Sequence, residues 1–145
     1  MIKIVDIEPK LYNQIYKIQE IAMPENDVMD KALFMSEFGA MSRKYFVAME
    51  EETPIGYIGL FSMDTDYNII SFAVLPECQC NGVGNALLEH AIKFAKNSGK
   101  KTMSLEVDVN NKKAISFYKK HGFFVTNIRK NYYKNSDAMV MFLNL

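Results

Sequence analysis

A buried strand followed by a glycine-containing loop and an amphipathic helix most constrains what this chain can fold into. Residues 67–75 are nearly continuous in apolar side chains, which is typical of a strand in the interior of a sheet. After a loop over residues 76–81, the apolar residues of 82–97 recur along one face of a helix. Alternating side chains over residues 102–107 indicate another strand. Strands and helices that mix in this way predict an α/β fold.

The remaining periodicities add elements on both sides of this segment. Strands are predicted over residues 2–8, 45–49, 55–63, 123–130 and 139–143, and helices over residues 10–22 and 111–120. A second helix is expected after Pro24, with Asn26 or Asp27 as its cap. Its buried side is expected to contain Val28, Leu33, Phe34 and Phe38.

The resulting order of elements is βααβββαβαββ. This order predicts a mixed central sheet of about six to seven strands with four helices. The length of 145 residues predicts a single domain over residues 1–145, because domains of ~100–200 residues are usual.

Basic and acidic residues are equal in number, 17 each, and this balance excludes the strongly basic class of nucleic-acid-binding proteins. Their distribution along the chain is uneven. Residues 1–72 contain 6 basic and 12 acidic residues, whereas residues 73–145 contain 11 basic and 5 acidic residues. We expect the two halves to present surfaces of opposite sign to different partners.

Other classes of protein are disfavoured by the apolar runs and the cysteines. The longest apolar-rich run, residues 69–75, is far shorter than the ~20 residues that span a bilayer, and the N-terminus lacks the apolar core of a signal peptide. A cytoplasmic protein without a membrane partner is therefore expected. Cys78 and Cys80 could form half of a metal site with His90 and His121. Reduced thiols and no bound metal are the expectation.

The loop before the third predicted helix has the chemistry of an anion site. Gly82 and Gly84 let the backbone approach a ligand, and the helix that begins beside them presents unpaired N–H groups at its positive end. Phosphate is the natural ligand of such a site, although an ordinary strand-to-helix turn would use the same residues. A P-loop would need Lys and Ser or Thr after Gly84, where Asn85-Ala86 stand.

Two further phosphate motifs can be compared with this loop. A dinucleotide-binding loop would need a third glycine and a first glycine close to the strand, but residues 75–81 separate the strand from Gly82. The pattern Gln/Arg-x-x-Gly-x-Gly/Ala is met in full by Gln79, Gly82 and Gly84.

Residues 67–143 resemble the GNAT superfamily of N-acetyltransferases, whose acyl-CoA loop has this last pattern. The supporting motifs are Pro76, Leu87-Leu88, Leu105-Glu106-Val107, Asn111-x-x-Ala114-x-x-x-Tyr118 and Gly122-Phe123. The segment Ile128-Arg129-Lys130-Asn131-Tyr132-Tyr133 is similar to the ribosomal-protein-alanine N-acetyltransferase branch. Met23-Pro24-Glu25-Asn26 departs from the aromatic Phe-Pro-Trp-like motif of that branch. The resemblance implies the GNAT fold and acetyl-CoA as co-substrate.

The resemblance also implies a cofactor site between the strands over residues 67–75 and 102–107. Ala73 and Val74 would offer backbone groups to the pantetheine arm, and an N–H near Val74 would stabilise the oxyanion. The pyrophosphate would be wrapped by Gln79, Cys80, Asn81, Gly82, Val83 and Gly84. Backbone amides would hold most of it, because the two residues after Gln79 are neutral where the family often has a basic one. Asn111 would bind the cofactor, cap its helix, or do both.

The same resemblance implies the catalytic groups. Glu106 would act as the base through a water molecule, and Tyr118 would protonate the leaving thiolate and contact the cofactor. Tyr132 and Tyr133 would line the acceptor channel beside Glu106. The residues alone leave other roles open: a salt-bridged strand glutamate, a core tyrosine and two strand-end aromatics. The lysines at positions 112, 113, 119 and 120 would form a solvated face or meet the 3′-phosphate of CoA.

Four functions are compatible with these patterns. The first is transfer of an acetyl group from acetyl-CoA to the N-terminal α-amine of a ribosomal or other protein, by a monomer or a homodimer. The second is the same reaction on a small amine such as a polyamine or aminoglycoside, which the departure at residues 23–26 favours. A non-catalytic acyl-CoA-binding module would dispense with Glu106 and Tyr118. A nucleotide-binding module would need the missing P-loop lysine or third glycine.

Overall fold

The molecule is built around a twisted sheet of seven strands with helices packed against it. A computed structural model describes residues 1–23 and 28–145. In chain order the elements are β1 (Ile2–Asp6), α1 (Tyr12–Ala22), α2 (Lys31–Glu37), β2 (Arg43–Glu50), β3 (Thr53–Ser62), β4 (Asp66–Val74), α3 (Val83–Asn97), β5 (Thr102–Asp108), α4 (Lys112–Lys120), β6 (Phe124–Tyr133) and β7 (Ser136–Asn144). The predicted order and the mixed α/β class are confirmed.

The strands lie in the order β1-β2-β3-β4-β5-β7-β6, and all neighbours are antiparallel except β4 and β5. β4 is therefore the middle strand, as its apolar run predicted. The parallel pairing between β4 and β5 extends only from Asp66 opposite Thr102 to Ile69 opposite Leu105. Both strands continue beyond these residues. They consequently diverge, and an opening forms in the centre of the sheet.

An irregularity in β4 lies where this opening begins. Leu60 of β3 pairs with Ile69, but its neighbour Gly59 pairs with Ser71, so Ile70 is an extra residue in β4. A bulge of this kind bends a strand and increases its twist. It also reverses the alternation of side chains, so that Ala73 and Ser71 continue the face on which Asn68 lies.

Hydrophobic clusters cover both faces of the sheet. Alternate residues of β2 enter different clusters: Phe46 packs in the cluster that includes α3, whereas Tyr45 packs in the cluster that includes α1 and α2. Because side chains of a strand alternate between faces, the two clusters lie on opposite sides of the sheet. Leu87 and Ile15, both fully buried, represent the two helical layers.

The start of the second helix differs from the prediction. Asp30 is the residue that caps α2, and its carboxylate accepts a hydrogen bond from the backbone N–H of Leu33 at 3.4 Å. The predicted caps, Asn26 and Asp27, and the predicted helix stop at Pro24 lie outside the described residues. The prediction that one of them caps α2 is wrong, because the helix begins at Lys31 and its cap is Asp30.

One residue that was predicted to be buried in α2 is on the surface. The Leu33 side chain is 55% exposed, whereas that of its neighbour Phe34 is fully buried. Adjacent helical residues point about 100° apart, so Leu33 cannot share the face that Phe34 directs at the sheet. Phe38 packs beside this face, with its ring centroid 4.9 Å from that of Phe34 and 4.4 Å from that of Tyr12.

No helix among residues 1–23 and 28–145 has the length and apolar character that crossing a membrane requires.

Gly59 provides a test of the packing on the α1 and α2 side. It lies opposite Tyr45, whose ring covers it so closely that a Cβ at position 59 would overlap three ring carbons. The Tyr45 hydroxyl is also held by the Glu37 carboxylate at 3.2 Å, so the ring cannot move aside easily. We expect Gly59→Ala to lower the free energy of unfolding by about 1–3 kcal/mol, measured by urea titration.

Gly39→Ala is the matched control, because no atom lies within 4 Å of a Cβ at position 39. Its free energy of unfolding should stay within about 1 kcal/mol of that of the wild type. Equal losses in the two variants would contradict the packing that the structure shows around Tyr45.

Candidate active site

The divergence of β4 and β5 opens a cleft of about 630 Å³. Its described lining comprises residues 68–72 of β4, residues 105–107 of β5, Asn111, Ala114 and Tyr118 beside and on α4, and residues 132–134 of the β6–β7 hairpin, with Met23 and Met29 at one side. The cleft therefore brings together five residues that lie up to 27 positions apart in the chain. These are Glu106, Asn111, Tyr118, Tyr132 and Tyr133.

The backbone at the end of β4 faces this opening. The N–H of Leu75 donates to the carbonyl oxygen of Ile55 on β3 at 2.9 Å. Successive residues of a strand direct their N–H groups to opposite edges, so the N–H of Val74 is directed away from β3, towards the divergence. The carbonyl oxygen of Val74 accepts a hydrogen bond from the Gln79 side chain at 3.0 Å. Ala73 and Val74 are themselves buried, 6% and 9% exposed.

The glycine loop ends in a left-handed turn that starts α3. Cys80 and Gly82 both have positive φ, 67° and 84°, and no side chain caps the helix at Gly82. The first N–H groups of a helix have no partner within it, so this end is open to an anion. A Cβ at position 82 would contact no atom, so the glycine is favoured there for its φ angle alone.

At Gly84 the size of the side chain is limited by the packing of α3 against α4. A Cβ there would meet the Phe117 ring of α4 at 3.6 Å, which is an ordinary contact. The pattern Gly/Ala at this position is thus compatible with the packing of α3 on α4.

Gln79 links the loop to α4. Its side-chain N–H group binds Val74, while its side-chain oxygen accepts a hydrogen bond from the Lys113 ammonium at 3.3 Å. Lys113 therefore supplies a cation to a loop whose own Cys80 and Asn81 are neutral. The sequence indicated a solvated face or a 3′-phosphate contact for this lysine.

Glu106 has a donor on each carboxylate oxygen. The Asn68 side-chain amide donates to Oε1 at 3.4 Å, and the Arg129 guanidinium donates to Oε2 at 3.3 Å. The Glu106 side chain is 22% exposed, whereas that of Arg129 is 51% exposed. A pair that exposed adds little to stability, ~1 kcal/mol at most. The Glu106 carboxylate thus lies in the cleft with one partner inside the sheet and one at the rim.

Tyr118 lies deep on the cleft side of α4. It is 9% exposed and its ring packs against Phe123, with centroids 5.5 Å apart, and against Phe117 at the same distance. It is both a core aromatic and a lining residue of the cleft. Asn111 caps α4, because its side-chain oxygen accepts from the N–H of Ala114 at 3.2 Å. This cap fixes the helix that carries Tyr118 at the edge of the cleft.

The β6–β7 hairpin forms the opposite rim. Tyr132 and Tyr133 make an edge-on pair with ring centroids 5.0 Å apart, and the Arg129 guanidinium lies 4.6 Å from the Tyr132 ring centroid. Both strands are longer than predicted, so Tyr132 and Tyr133 are the last residues of β6. The charged side chains among the described lining residues are Glu106 and Lys134.

The cysteines and histidines have ordinary surroundings. Partial burial and the carboxylates of Glu77 and Glu50 raise the pKa of the Cys78 thiol, which makes it a poorer ligand and nucleophile. His90 packs edge-on against Phe46, and Nδ1 of His121 lies 3.0 Å from the Phe117 carbonyl oxygen. Within residues 1–23 and 28–145, no group of three or more His, Cys, Asp or Glu side chains could hold a metal ion.

Comparison with known families identifies the family of this chain. The model of the acetyltransferase (GNAT) family matches residues 12–123, more than half of the chain. The chain belongs to this family. It is a GNAT N-acetyltransferase, and the family uses acetyl-CoA.

Known relatives of this GNAT protein include N-alpha-acetyltransferases and ribosomal protein bS18-alanine N-acetyltransferases. It is 31% identical over 143 residues to an N-alpha-acetyltransferase of Saccharolobus solfataricus, covering 89% of this chain and 84% of the relative. It is 42% identical over 70 residues to the ribosomal protein bS18-alanine N-acetyltransferase of Escherichia coli, covering 48% and 47%. The crystal structure of the ribosomal-protein-S18-alanine N-acetyltransferase from Escherichia coli superposes with a TM-score of 0.92 at 28% identity, covering 99% and 94%.

The contact between Lys113 and Gln79 predicts a difference between two adjacent lysines. Lys113→Gln should weaken CoA binding about five-fold, because a cation beside the predicted phosphate loop is lost, which corresponds to ~1 kcal/mol. Lys112→Gln removes the same charge from the same exposed helix start, and within the described residues no hydrogen bond joins Lys112 to the glycine loop. Calorimetric titration with CoA at low salt measures both dissociation constants.

The difference between the variants should shrink as salt is raised, because salt screens the exposed charge. Equal dissociation constants for the two variants at low salt would show that Lys113 belongs to the solvated face only.

Proposed function

We propose that this enzyme transfers the acetyl group of acetyl-CoA to the α-amine at the N-terminus of a protein or peptide. The observation that carries the proposal is the position of Glu106 in the β4–β5 cleft, which Tyr118, Tyr132 and Tyr133 also line. The relatives named for bS18-alanine and N-alpha acetylation support an N-terminal acceptor. Their acceptors indicate the class of substrate rather than the particular protein.

The cofactor is held by backbone groups in this proposal. The pyrophosphate binds at the start of α3, where the helix N–H groups are uncapped, with Lys113 beside it. The pantetheine arm extends along the unpaired edge of β4 past Ala73 and Val74. The N–H of Val74 stabilises the oxyanion that forms at the thioester carbonyl. Loss of one such donor typically costs ~2.7–4 kcal/mol of transition-state stabilisation.

The acceptor amine must be neutral to attack the thioester carbon. An N-terminal α-amine has an ordinary pKa of ~7.7–8.0, against ~10.4 for lysine, so a carboxylate acting through water is sufficient for the former. Glu106 receives the amine proton by this route. The N–C bond forms, the C–S bond of the tetrahedral intermediate breaks, and Tyr118 gives its hydroxyl proton to the departing thiolate of CoA.

The charges in the cleft favour a peptide over a polyamine. Among the described residues that line the cleft, Lys134 is the cation and Glu106 the carboxylate, and the Arg129 guanidinium contacts that carboxylate. A polycation would place several ammonium groups near these cations, whereas a peptide brings one amine on a neutral chain. Tyr132 and Tyr133 offer flat apolar surface for the residues that follow the acceptor amine.

Two conservative variants test the assigned roles. Glu106→Gln removes the base and Tyr118→Phe removes the acid, and each should lower kcat about 10²–10⁴-fold on a short peptide with a free N-terminal alanine. Binding of acetyl-CoA should change little in Glu106→Gln, because this residue is assigned to the acceptor side. Thiol release from acetyl-CoA measures the rate, and calorimetry measures the affinity.

A panel of acceptors separates the proposal from the other functions. The alanine peptide should exceed spermidine and an N-terminally blocked lysine peptide in kcat/KM. Faster transfer to spermidine would favour a small-amine enzyme, and binding of acetyl-CoA without transfer to any acceptor would favour a non-catalytic module. Wild-type rates in both conservative variants would overturn the catalytic assignment.

A further inference from the structure

A buried carboxylate stands at the closed end of the β4–β5 pairing, away from the reacting groups. Asp66 is 9% exposed, and its two oxygens accept hydrogen bonds from the hydroxyl groups of Thr102, at 2.8 Å, and Ser104. Within the part of the chain that the structure describes, no cation forms an ion pair with it. A buried carboxylate without a cation is unfavourable unless its oxygens are well hydrogen-bonded, so its presence calls for a reason.

The hydrogen bonds of Asp66 fix the direction of a longer chain. A carboxylate only accepts, so the Ser104 hydroxyl must donate its proton to Asp66. The Ser104 oxygen is then free to accept, and the Asn68 side-chain amide donates to it at 3.0 Å. This contact orients the amide, whose N–H₂ group also donates to Oε1 of Glu106 at 3.4 Å. We call Asp66, Ser104, Asn68 and Glu106 the polar ladder.

The parallel register explains why these four side chains meet. Asp66 lies opposite Thr102 and Asn68 lies opposite Ser104, and Glu106 is two residues further along β5. Residues two apart in a strand share a face, so the ladder follows one face of the β4–β5 pair up to the point where the strands diverge. Its last member is the proposed base.

We infer that Asn68 is a positioning residue that holds the Glu106 carboxylate in the cleft, and that Asp66 and Ser104 fix the orientation of Asn68. The inference rests on the proposed function, in which Glu106 is the base. Asn68 and Arg129 contact different oxygens of Glu106. Arg129 is at the half-exposed rim, where an acceptor can displace it, whereas Asn68 is tied to the sheet by Ser104. Asn68 is therefore the partner that stays in place during the reaction.

Other charged and titratable groups also share the surroundings of Glu106. These are Arg129 on β6, Tyr118 on α4, Tyr132, Tyr133 and Lys134 on the hairpin, and Asp66 and Asp108 near the two ends of the paired strands. None of them is changed in the variants below. Differences between the variants consequently report the contact with position 68.

Two substitutions at position 68 test the inference through the pH dependence of kcat/KM. Asn68→Ala removes the N–H donor to the carboxylate. The acid limb, which is the fall of kcat/KM at low pH, should therefore move to higher pH by ~0.5–1 unit. Asn68→Asp keeps the size of the side chain but places a like charge beside Glu106, so the limb should move further in the same direction. The rate at neutral pH should fall about ten-fold or more in both, because a misplaced base loses its geometry.

A residue that only stabilised the sheet would give a different result. Asn68→Ala would then leave the acid limb where it is in the wild type, and only the like charge of Asn68→Asp would move it. Tyr57→Phe is the matched control. It removes a buried hydroxyl of β3 that lies 2.6 Å from the hydroxyl of Ser71, which is on β4 like Asn68. The hydrogen bond of Tyr57 is to Ser71 and does not involve Glu106. It should lower the melting temperature while leaving the acid limb where it is in the wild type.

Measurements with the alanine peptide and acetyl-CoA, alongside Glu106→Gln, keep the two ideas separate. An acid limb that persists unchanged in Glu106→Gln would overturn the base assignment and with it the proposed mechanism. An acid limb that depends on Glu106 but is identical in wild type and Asn68→Ala would overturn only the inference about Asn68. Ordered shifts, larger for Asp than for Ala and absent in Tyr57→Phe, would support it.

Discussion

The parallel hydrogen bonding between β4 and β5 stops after Ile69 and Leu105, and the rest of the site depends on this early stop. Up to that point the backbones of the two strands are hydrogen-bonded to each other in the middle of the sheet. Beyond it, each still has a neighbour on its other side, β3 for β4 and β7 for β5, so the sheet remains stable while its centre opens. The extra residue at Ile70 lies at the same place and bends β4.

The proposed functional groups are distributed around this stop. Glu106 is the first residue of β5 beyond the last parallel pair, and Val74 is the last residue of β4. Backbone groups at the inner edge of β4 have no strand to pair with there, and buried groups of this kind need partners. In the proposed function, a ligand arm that carries amide groups of its own takes the place of the missing strand. The same opening leaves these backbone groups without a partner strand and gives Glu106, the proposed base, access to the cleft.

Local periodicity was sufficient to predict the order of elements and the central position of β4. It failed at Leu33, because the start of α2 is set by the cap at Asp30 and a shift of one residue rotates a helix face by about 100°. The resemblance to the GNAT superfamily implied one site for Glu106, Tyr118, Tyr132 and Tyr133, and all four line one cleft. Their catalytic and binding roles remain predictions.

The residues that sequence reasoning did not find act over long separations. Asn68 meets Ser104 across 36 positions, and Lys113 meets Gln79 across 34. Such contacts depend on strand register and on the angle between a helix and a loop, neither of which leaves a periodic trace in the chain. In the sequence, Asp66 is one of two aspartates in the segment Asp64-Thr65-Asp66, which is typical of a turn. Only the pairing of β4 with β5 shows that its side chain is buried.

The short helix α4 combines three structural features of the site. Asn111 caps its start, Lys113 in its first turn contacts the glycine loop, and Tyr118 near its end reaches the cleft. Because a capped helix of nine residues is stiff, a tilt at the Lys113 end would also move the Tyr118 phenol near the other end. In the proposed function, cofactor binding at the start of α4 and proton donation by Tyr118 near its end are therefore coupled through the helix.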